Sequence, residues 1–186
     1  NNLDLDIVAE GDGIRFAEDF ANRLQAKLVR HRRFGTATII INGLKVDIAS
    51  SRLESYPQPA CLPSVRSGSL RDDLKRRDFS INAMSVSLNA DDYGRLIDFF
   101  NGQSDLNNKL IRVLHDLSFV DDPTRILRAI RFEQRYDFRI EKNTLKNLKS
   151  ALKLQMQQKV QPQRLRDELI LLLKEDCALK SIRRLD

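Results

Sequence analysis

The chain has 186 residues, and its 32 lysine and arginine residues outnumber 26 aspartate and glutamate residues, which gives a formal net charge of +6. This length suits one or two compact units, and the basic balance permits a nucleic-acid partner without proving one. The only two cysteines, Cys61 and Cys177, are far apart, which argues against a disulfide framework or a zinc site and fits a reducing compartment. No apolar run approaches the ~20 residues that span a bilayer.

The first fifty residues predict a small sheet with one helix. Strict alternation of apolar and polar residues predicts a strand over residues 3–8, and apolar residues at every fourth position predict an amphipathic helix over residues 14–28. Two apolar, β-branched runs at residues 36–41 and 44–48 are separated by an Asn-Gly pair. That pair is the strongest short-range hairpin signal, so we expect two antiparallel strands here.

The remaining sequence changes in character after about residue 100. Residues 51–70 hold three prolines and predict a long, mobile loop. The short apolar run at residues 81–88 favours a helix, and residues 96–100 predict a short strand. Beyond them the pattern predicts a series of helices over roughly residues 105–110, 116–119, 123–136, 141–154 and 162–174.

These elements together indicate an α+β fold in two domains. We expect a small mixed sheet with helices over residues 1–100, followed by an all-helical domain over residues 101–186. The predicted boundary lies near residues 100–106, where a short strand is closed by an Asn-Gly pair.

Three aspartates on the predicted strands are candidate metal ligands. Asp4 and Asp6 point to the same side of their strand, because side chains alternate with period two, while Leu3, Leu5 and Ile7 point towards the core. Two carboxylates on one exposed face repel each other unless a cation lies between them, and Mg²⁺ prefers oxygen ligands. Asp47 joins this face if its strand pairs beside the first, which the sequence does not settle. A solvated strand edge is the simpler explanation of the first two acids taken alone.

A second cluster combines phosphate and sugar ligands in one short segment. Arg76 and Arg77 offer forked, charge-assisted hydrogen bonds to phosphate oxygens, and Asp78 can accept a hydrogen bond from a sugar hydroxyl. An apolar run that contains the amide of Asn82 follows directly. The alternative interpretation is a solvated charged turn before a helix.

A third cluster lies at the start of a predicted helix. Asp121 and Asp122 precede a proline, which is typical of a helix N-cap, and Arg125 follows one turn later on the same helix face. An aspartate and an arginine on one face offer both an acceptor and a donor to the Watson–Crick edge of a base. The cap and the base-reading interpretations are compatible with each other.

The same helix continues with arginines at three- to four-residue spacing, at Arg128, Arg131 and Arg135. Such a basic stripe is usually a solvated face. Because these arginines accompany a phosphate-binding cluster, we expect them to contact a triphosphate or an RNA backbone.

The order of these clusters resembles the class II tRNA nucleotidyltransferase and bacterial poly(A) polymerase family. The resemblance covers essentially the whole chain, and its most specific parts are the segments at residues 76–83 and 121–132. It implies a polymerase-β-like palm followed by a helical neck. Asp4 and Asp6 match the metal-binding carboxylates of that palm, and Asp47 matches its third strand acid, so these three would serve as catalytic metal ligands.

The resemblance also assigns the nucleotide-binding residues. The family's ribose- and phosphate-contacting motif matches Arg76, Arg77, Asp78 and Asn82. The Asp and Arg that read the incoming base match Asp122 and Arg125, and Asp121 stands where the family usually has Glu. Arg128 and Arg131 continue the same helix as further nucleotide-binding candidates.

Two segments of the family have no match in this sequence. The family carries a Gly-Gly-x-x-Arg-Asp segment before its Asp-x-Asp strand, and this sequence has nothing like it ahead of Asp4. The later helical body and tail of the family also have no counterpart here. We therefore expect a polypeptide that is incomplete at both ends.

The function that the resemblance implies is template-independent addition of nucleotides to the 3′ end of tRNA, by a two-metal mechanism that releases pyrophosphate. It implies Mg²⁺, ATP or CTP as the substrate, tRNA as the partner and the cytoplasm as the location. The sequence at residues 54–63 and 96–100 most resembles that of bacterial enzymes in which CCA addition is divided between two proteins. This resemblance favours an A-adding member.

Other functions stay open at this point. The same motifs suit a poly(A) polymerase, a CC-adding enzyme or a CCA-adding enzyme. A catalytically silent RNA-binding domain is compatible with the absent glycine segment. A phosphohydrolase that uses the same acids is disfavoured because the two histidines, His31 and His115, are isolated from each other in the sequence.

Overall fold

The computed structural model describes residues 4–32 and 35–185, with the side chain of Asp4 outside the described part. The chain forms two compact units. The first unit comprises Asn1–Glu54 and Val65–Leu74, and the second comprises Ser55–Ser64 and Lys75–Asp186. These are units of packing, so the division into domains at residues 1–100 and 101–186 stays a prediction.

The first unit is built on a four-stranded mixed sheet with the strand order β1-β4-β3-β2. The first strand runs parallel to the fourth, and the other neighbours are antiparallel. A short two-stranded ladder of β5 and β6 and the helix α2 follow the sheet. The elements are β1 (Asp4–Ala9), α1 (Gly13–Leu24), β2 (Lys27–His31), β3 (Thr36–Ile41), β4 (Leu44–Ser50), β5 (Arg52–Ser55), β6 (Ser64–Ser67) and α2 (Leu70–Lys75).

One face of this sheet is covered by α1. The core between them consists of small and branched apolar side chains: Ala17, Ala21, Ala37, Ile39, Val46 and Ile48. Ile7 packs against this core, as its strand position predicts, but Leu5 is 46% exposed. Leu5 shares the strand face of Ile7 but is not buried as predicted, because β1 is an edge strand of the described sheet and α1 packs mainly on β3 and β4; Leu3 lies outside the described residues.

The predicted hairpin is confirmed, whereas the first helix is shorter than predicted. Asn42 and Gly43 both adopt positive φ, at 49° and 81°, as a two-residue hairpin turn requires. The helix α1 ends at Leu24, because Gln25 takes a left-handed conformation and its N–H bonds back to the last turn. Leu28 therefore lies in the strand β2, which the four-residue apolar spacing concealed.

The proline-rich segment is more ordered than the prediction of a long loop. It contains β5 and β6, and α2 begins at its end. The connection between these two strands belongs to the second unit, where the Ala60 N–H donates to the Val120 carbonyl at 3.0 Å. Ala60 is 6% exposed, so this connection is anchored by burial as well as by the hydrogen bond.

The second unit is mainly helical. Its elements are β7 (Ser85–Val86), β8 (Leu96–Ile97), α3 (Gly102–Asn107), β9 (Leu110–Ile111), α4 (Ser118–Asp121), α5 (Thr124–Tyr136), β10 (Arg139–Ile140), α6 (Lys142–Lys153), α7 (Pro162–Leu173) and α8 (Ala178–Leu185). Two-residue ladders join β7 to β8 and β9 to β10. The core combines aromatic and aliphatic residues, namely Phe79, Ile111, Val113, Phe119, Ile126, Ala129, Phe132, Ile140, Leu148, Ala151 and Met156.

The long predicted helices appear as α5, α6 and α7, each within two residues of its expected bounds. The helix predicted over residues 81–88 is wrong. A 3₁₀ turn over Ser80–Asn82 is followed by β7, because Ser85 and Val86 pair with the strand β8. The helix α8 was not predicted.

None of the helices within the described residues combines the length and apolarity needed to cross a membrane. Cys61 and Cys177 are free thiols.

Candidate functional site

The strand acids of the first unit lie side by side. Since β1 and β4 are parallel neighbours, Asp6 is the direct partner of Asp47 in the register. Both side chains are exposed, while Val46 and Ile48 on either side of Asp47 are buried. In-register residues on neighbouring strands point to the same face. The structure therefore supplies the strand pairing that the sequence left open, and it places two carboxylates together on the solvent face.

A hydroxyl group belongs to this face as well. Thr38 on β3 lies opposite Asp47, and its Oγ1 donates a hydrogen bond to Asp47 Oδ1. Asp4 begins β1 opposite Lys45, and its side chain lies outside the described residues. Among the side chains that are described, no group of three acidic, histidine or cysteine residues could hold a metal ion. The carboxylate pair with its neighbouring hydroxyl nevertheless matches the oxygen donors that Mg²⁺ prefers.

Asp78 of the second unit is a buried acid with a full set of donors. It is 7% exposed. Its Oδ2 accepts from Arg128 Nε at 2.8 Å and from Nη2 at 2.6 Å, and its Oδ1 accepts from the Phe79 N–H at 2.8 Å and from Asn82 Nδ2 at 3.0 Å. An ionised carboxylate has about four acceptor positions, so these bonds occupy all of them. Asp78 thus holds Arg128 and Asn82 in place and has no acceptor position left for a sugar hydroxyl.

Arg128 is fixed from two sides. Besides Asp78, its Nη1 donates to Glu168 Oε1 of α7 at 3.1 Å. Burial lowers the pKa of the Arg128 guanidinium, but attraction to Asp78 and Glu168 outweighs burial, so that this pKa is raised above its usual value. The guanidinium also lies 5.3 Å from the centre of the Phe132 ring. Arg128 therefore links the segment around Asp78 to the helix α7.

The neighbouring basic residues contribute main-chain and side-chain contacts to the same region. The Arg76 carbonyl accepts from Arg125 Nη2 at 2.7 Å. Arg77 Nη1 donates to the Asn82 carbonyl at 3.2 Å. Arg125 is only 5% exposed, and its Nη1 donates to Ser118 Oγ at 2.7 Å. Arg125 therefore ties α4 and α5 to the segment that carries the paired arginines.

Asp122 acts as a cap at the start of α5. Its Oδ1 accepts from the Thr124 N–H at 3.2 Å and from Thr124 Oγ1 at 2.7 Å. Its Oδ2 accepts from Arg164 Nη2 of α7 at 2.8 Å. The prediction that Asp122 caps this helix is thus correct. Its hydrogen bonds leave part of the acceptor capacity of the carboxylate unoccupied.

Asp121 faces a histidine that the sequence did not connect with it. His115 Nε2 lies 3.8 Å from Asp121 Oδ2. Burial lowers the pKa of His115, and Arg125 and Lys75 lower it further against the opposing attraction of Asp121 and Asp116. Burial also raises the pKa of the Asp121 carboxyl. Both side chains are therefore held in a partly desolvated setting at the end of α4.

The later arginines of α5 are bound to acids of the same unit. Arg131 is 7% exposed and pairs with Glu168 and Glu175, each at 3.4 Å, and Arg135 pairs with Glu175 at 3.4 Å. The stripe predicted to contact a triphosphate or RNA therefore packs α5 against α7 and the residues that follow it. Arg128 and Arg131 stay nucleotide-binding predictions that the structure places in ion pairs.

Residues 1–112 match the family described as Poly A polymerase head domain. The chain belongs to this family. It is also 51% identical to the A-adding tRNA nucleotidyltransferase of Geobacter sulfurreducens, over 99% of this chain and 21% of that protein. The chain thus spans about a fifth of the length of this relative.

Solved structures agree with the Poly A polymerase head-domain assignment. A CCA-adding enzyme in apo form II is 51% identical and superposes with a TM-score of 0.96, covering 100% of this chain and 44% of that one. A tRNA nucleotidyltransferase complexed with a primer tRNA and an incoming ATP analog is 42% identical with a TM-score of 0.86, covering 97% and 50%. The predicted family and fold class are therefore confirmed.

The sequence predicted the helix over residues 162–174 but assigned no role to the residues of α7 that face α5. Arg164 and Glu168 are spaced four residues apart on α7, and they hold Asp122 and Arg128 respectively. The i, i+4 pair of opposite charges was a usable signal, because two such residues share one helix face. Their partners lie 42 and 40 residues away in the chain, which no local pattern reveals.

Proposed function

We propose that this chain carries the catalytic part of a template-independent nucleotidyltransferase that adds adenosine to the 3′ end of tRNA. The observation that carries the proposal is the exposed pair of Asp6 and Asp47 on neighbouring parallel strands. The 51% identity to an A-adding enzyme supports the choice of adenosine. We place the activity in the cytoplasm, which the two free thiols favour.

The first unit would serve the chemical step. Asp6 and Asp47, with Asp4 of the same strand, would hold Mg²⁺ through carboxylate oxygens. When bound, Mg²⁺ would activate the attacking 3′-hydroxyl of the RNA and stabilise the leaving pyrophosphate. Thr38 would orient the carboxylate of Asp47 through its hydrogen bond.

The second unit would select and hold the nucleoside triphosphate. Arg76 and Arg77 would donate to phosphate oxygens, and Asp78 with Asn82 would position the sugar-binding segment. Asp122 would accept from the exocyclic amino group of the base, and Arg125 would supply a donor beside it. Asp121, Arg128 and Arg131 would support these residues from α4 and α5.

The test is extension of three tRNAs, ending before CCA, after C and after CC, each offered ATP or CTP with Mg²⁺ by the protein at its natural full length. Addition of one adenosine to the CC-ended tRNA alone is the expected result. Use of CTP on the shorter tRNAs would replace the proposal by a CC- or CCA-adding activity, and long adenosine tails would indicate a poly(A) polymerase. No incorporation by folded protein would overturn the catalytic proposal and leave RNA binding.

A further inference from the structure

The helix α7 reaches the nucleotide-selecting cluster with two residues on one face. Arg164 binds Asp122 at 2.8 Å, and Glu168 binds Arg128 at 3.1 Å. Residues four apart in a helix lie on the same side, one turn from each other. The face of α7 that carries Arg164 and Glu168 therefore contacts both a base-reading candidate and the arginine that holds Asp78.

The hydrogen bonds of Asp122 define what remains of its carboxylate. Two of the roughly four acceptor positions are occupied by Thr124 and a third by Arg164. Among residues 4–32 and 35–185, no fourth donor reaches this carboxylate. One acceptor position thus stays available on Oδ2, and its direction is fixed because each oxygen is already bonded to a different partner.

A single fixed acceptor discriminates between bases. Adenine and cytosine present an exocyclic amino donor, whereas guanine and uracil present a carbonyl oxygen at the corresponding position. A carboxylate oxygen accepts from the amino group and repels the carbonyl. This discrimination depends on orientation, because a carboxylate free to rotate could turn its other oxygen or accept a bridging water.

We infer that Arg164 is a positioning residue for base selection. It holds Asp122 Oδ2 so that the remaining acceptor position is presented to the amino group of the incoming base, and it does so from a helix outside the motifs that carry the predicted roles. The inference rests on the proposed function, in which Asp122 reads the base. Arg164 itself is half-buried and makes its bond to Asp122 from the first turn of α7.

The same helix provides a matched control. Arg166 lies two residues further on, is 64% exposed, and its nearest acid is the neighbouring Asp167 at 3.6 Å. Replacing Arg166 removes the same charge and the same side-chain volume from α7 without touching Asp122. A difference in nucleotide preference between Arg164→Ala and Arg166→Ala is therefore caused by loss of the contact with Asp122 and not by the changed net charge of the helix.

The experiment compares kcat/KM for ATP with kcat/KM for UTP and GTP on CC-ended tRNA, in the full-length protein and its variants. We expect the preference for ATP to fall about tenfold or more in Arg164→Ala, to fall less in Arg164→Lys, and to stay unchanged in Arg166→Ala. Asp122→Asn should lose preference to a similar degree, and Arg164→Ala added to it should cause little further loss, since both act on one contact.

Equal losses with all nucleotides in Arg164→Ala would overturn the inference, because they would show a structural role alone. Equilibrium binding of ATP and UTP to the same proteins separates this inference from the proposed catalytic function. If the wild-type protein prefers ATP in binding but adds none, catalysis fails and the effect of Arg164→Ala on that preference still decides the inference. If the wild-type protein shows no preference, the inference is wrong. Should Arg164→Ala not fold, Arg164→Lys keeps the charge and is judged by the same ratio.

Discussion

Two sets of acids in this chain differ in how many hydrogen bonds their carboxylates accept. Asp6 and Asp47 lie exposed on the sheet of the first unit, where the described residues supply one donor, the hydroxyl of Thr38. Asp78 of the second unit is buried and accepts four hydrogen bonds. The carboxylate oxygens of the exposed pair can still bind a cation. The acceptor positions of Asp78 are instead occupied by hydrogen bonds within the protein. Acids that the family resemblance assigns to one site can therefore differ in whether their oxygens remain open to a ligand.

Basic helix faces show a similar difference within the second unit. Three arginines of α5 pair with Glu168 or Glu175, namely Arg128, Arg131 and Arg135. On α6, four lysines at comparable spacing are all exposed: Lys142, Lys146, Lys149 and Lys153. The spacing is equivalent in the two helices, and the difference arises because Glu168 of α7 and Glu175, just beyond its end, pair with arginines of α5. Residue spacing alone does not identify a surface for a charged ligand.

The largest expected effect is on the exposed acids. Asp6→Asn or Asp47→Asn should lower the rate of nucleotide addition by about 10³-fold, or ~4 kcal/mol of transition-state stabilisation, with an unchanged melting temperature. The reason is that these side chains support no packing. Steady-state kinetics and thermal melting measure the two quantities, with the exposed Asp19→Asn of α1 as the control. A large fall in melting temperature would contradict the contrast with Asp78.

The buried acid should behave in the opposite way. Asp78→Asn leaves the Arg128 guanidinium without its main partner, and breaking such a pair costs about 3 kcal/mol of stability. Chemical denaturation measures this loss, and the exposed Asp91→Asn is the matched control. The double variant Asp78→Asn with Arg128→Met should recover part of the stability, since no uncompensated charge remains. A stable single variant with lost activity would instead assign Asp78 a direct role towards the nucleotide.

Glycine substitutions test whether the two units unfold separately. A Cβ at Gly13 would lie 2.7 Å from the Ser50 backbone nitrogen, and one at Gly102 would clash with the Ser80 carbonyl. Each change to alanine should cost about 2 kcal/mol. Hydrogen exchange should rise in β3 and β4 for the first variant and in α3 for the second, with Gln103→Ala as the exposed control. Equal increases throughout the chain in both variants would show one cooperative unit.

The smallest expected effect is a pH dependence from His115. Its pKa is lowered by burial and by the nearby cations Arg125 and Lys75, with Asp121 and Asp116 opposing. Below the ordinary pKa of histidine, the unfolded chain binds a proton that the folded chain resists, so stability falls as the pH drops from 7 towards about 5. His115→Gln should reduce this fall, as measured by melting temperature across that range. The raised pKa of Asp121 contributes a pH dependence of opposite sign, nearer to the range in which carboxyl groups ordinarily titrate.

Much of the fold followed from local patterns. The hairpin was predictable because an Asn-Gly pair favours the positive φ angles that its turn requires, and α5, α6 and α7 were predictable from their apolar periodicity. The short strand predicted over residues 96–100 appears as β8, whereas the strands β2 and β7 were missed. Their sequences are short and show no clear alternation, so that only their hydrogen-bonded neighbours identify them as strands.

The sequence by itself determined the residue types of the candidate site and their order, because carboxylates and guanidinium groups carry their chemistry wherever they lie. Tertiary structure alone decided which of them remain available. Parallel pairing of β1 with β4 brings Asp6 beside Asp47 across 41 positions of the chain. The packing of α7 on α5 binds Asp122 through Arg164 and Arg128 through Glu168. A carboxylate has a limited number of acceptor positions, and distant segments that fold against it determine how many are already occupied.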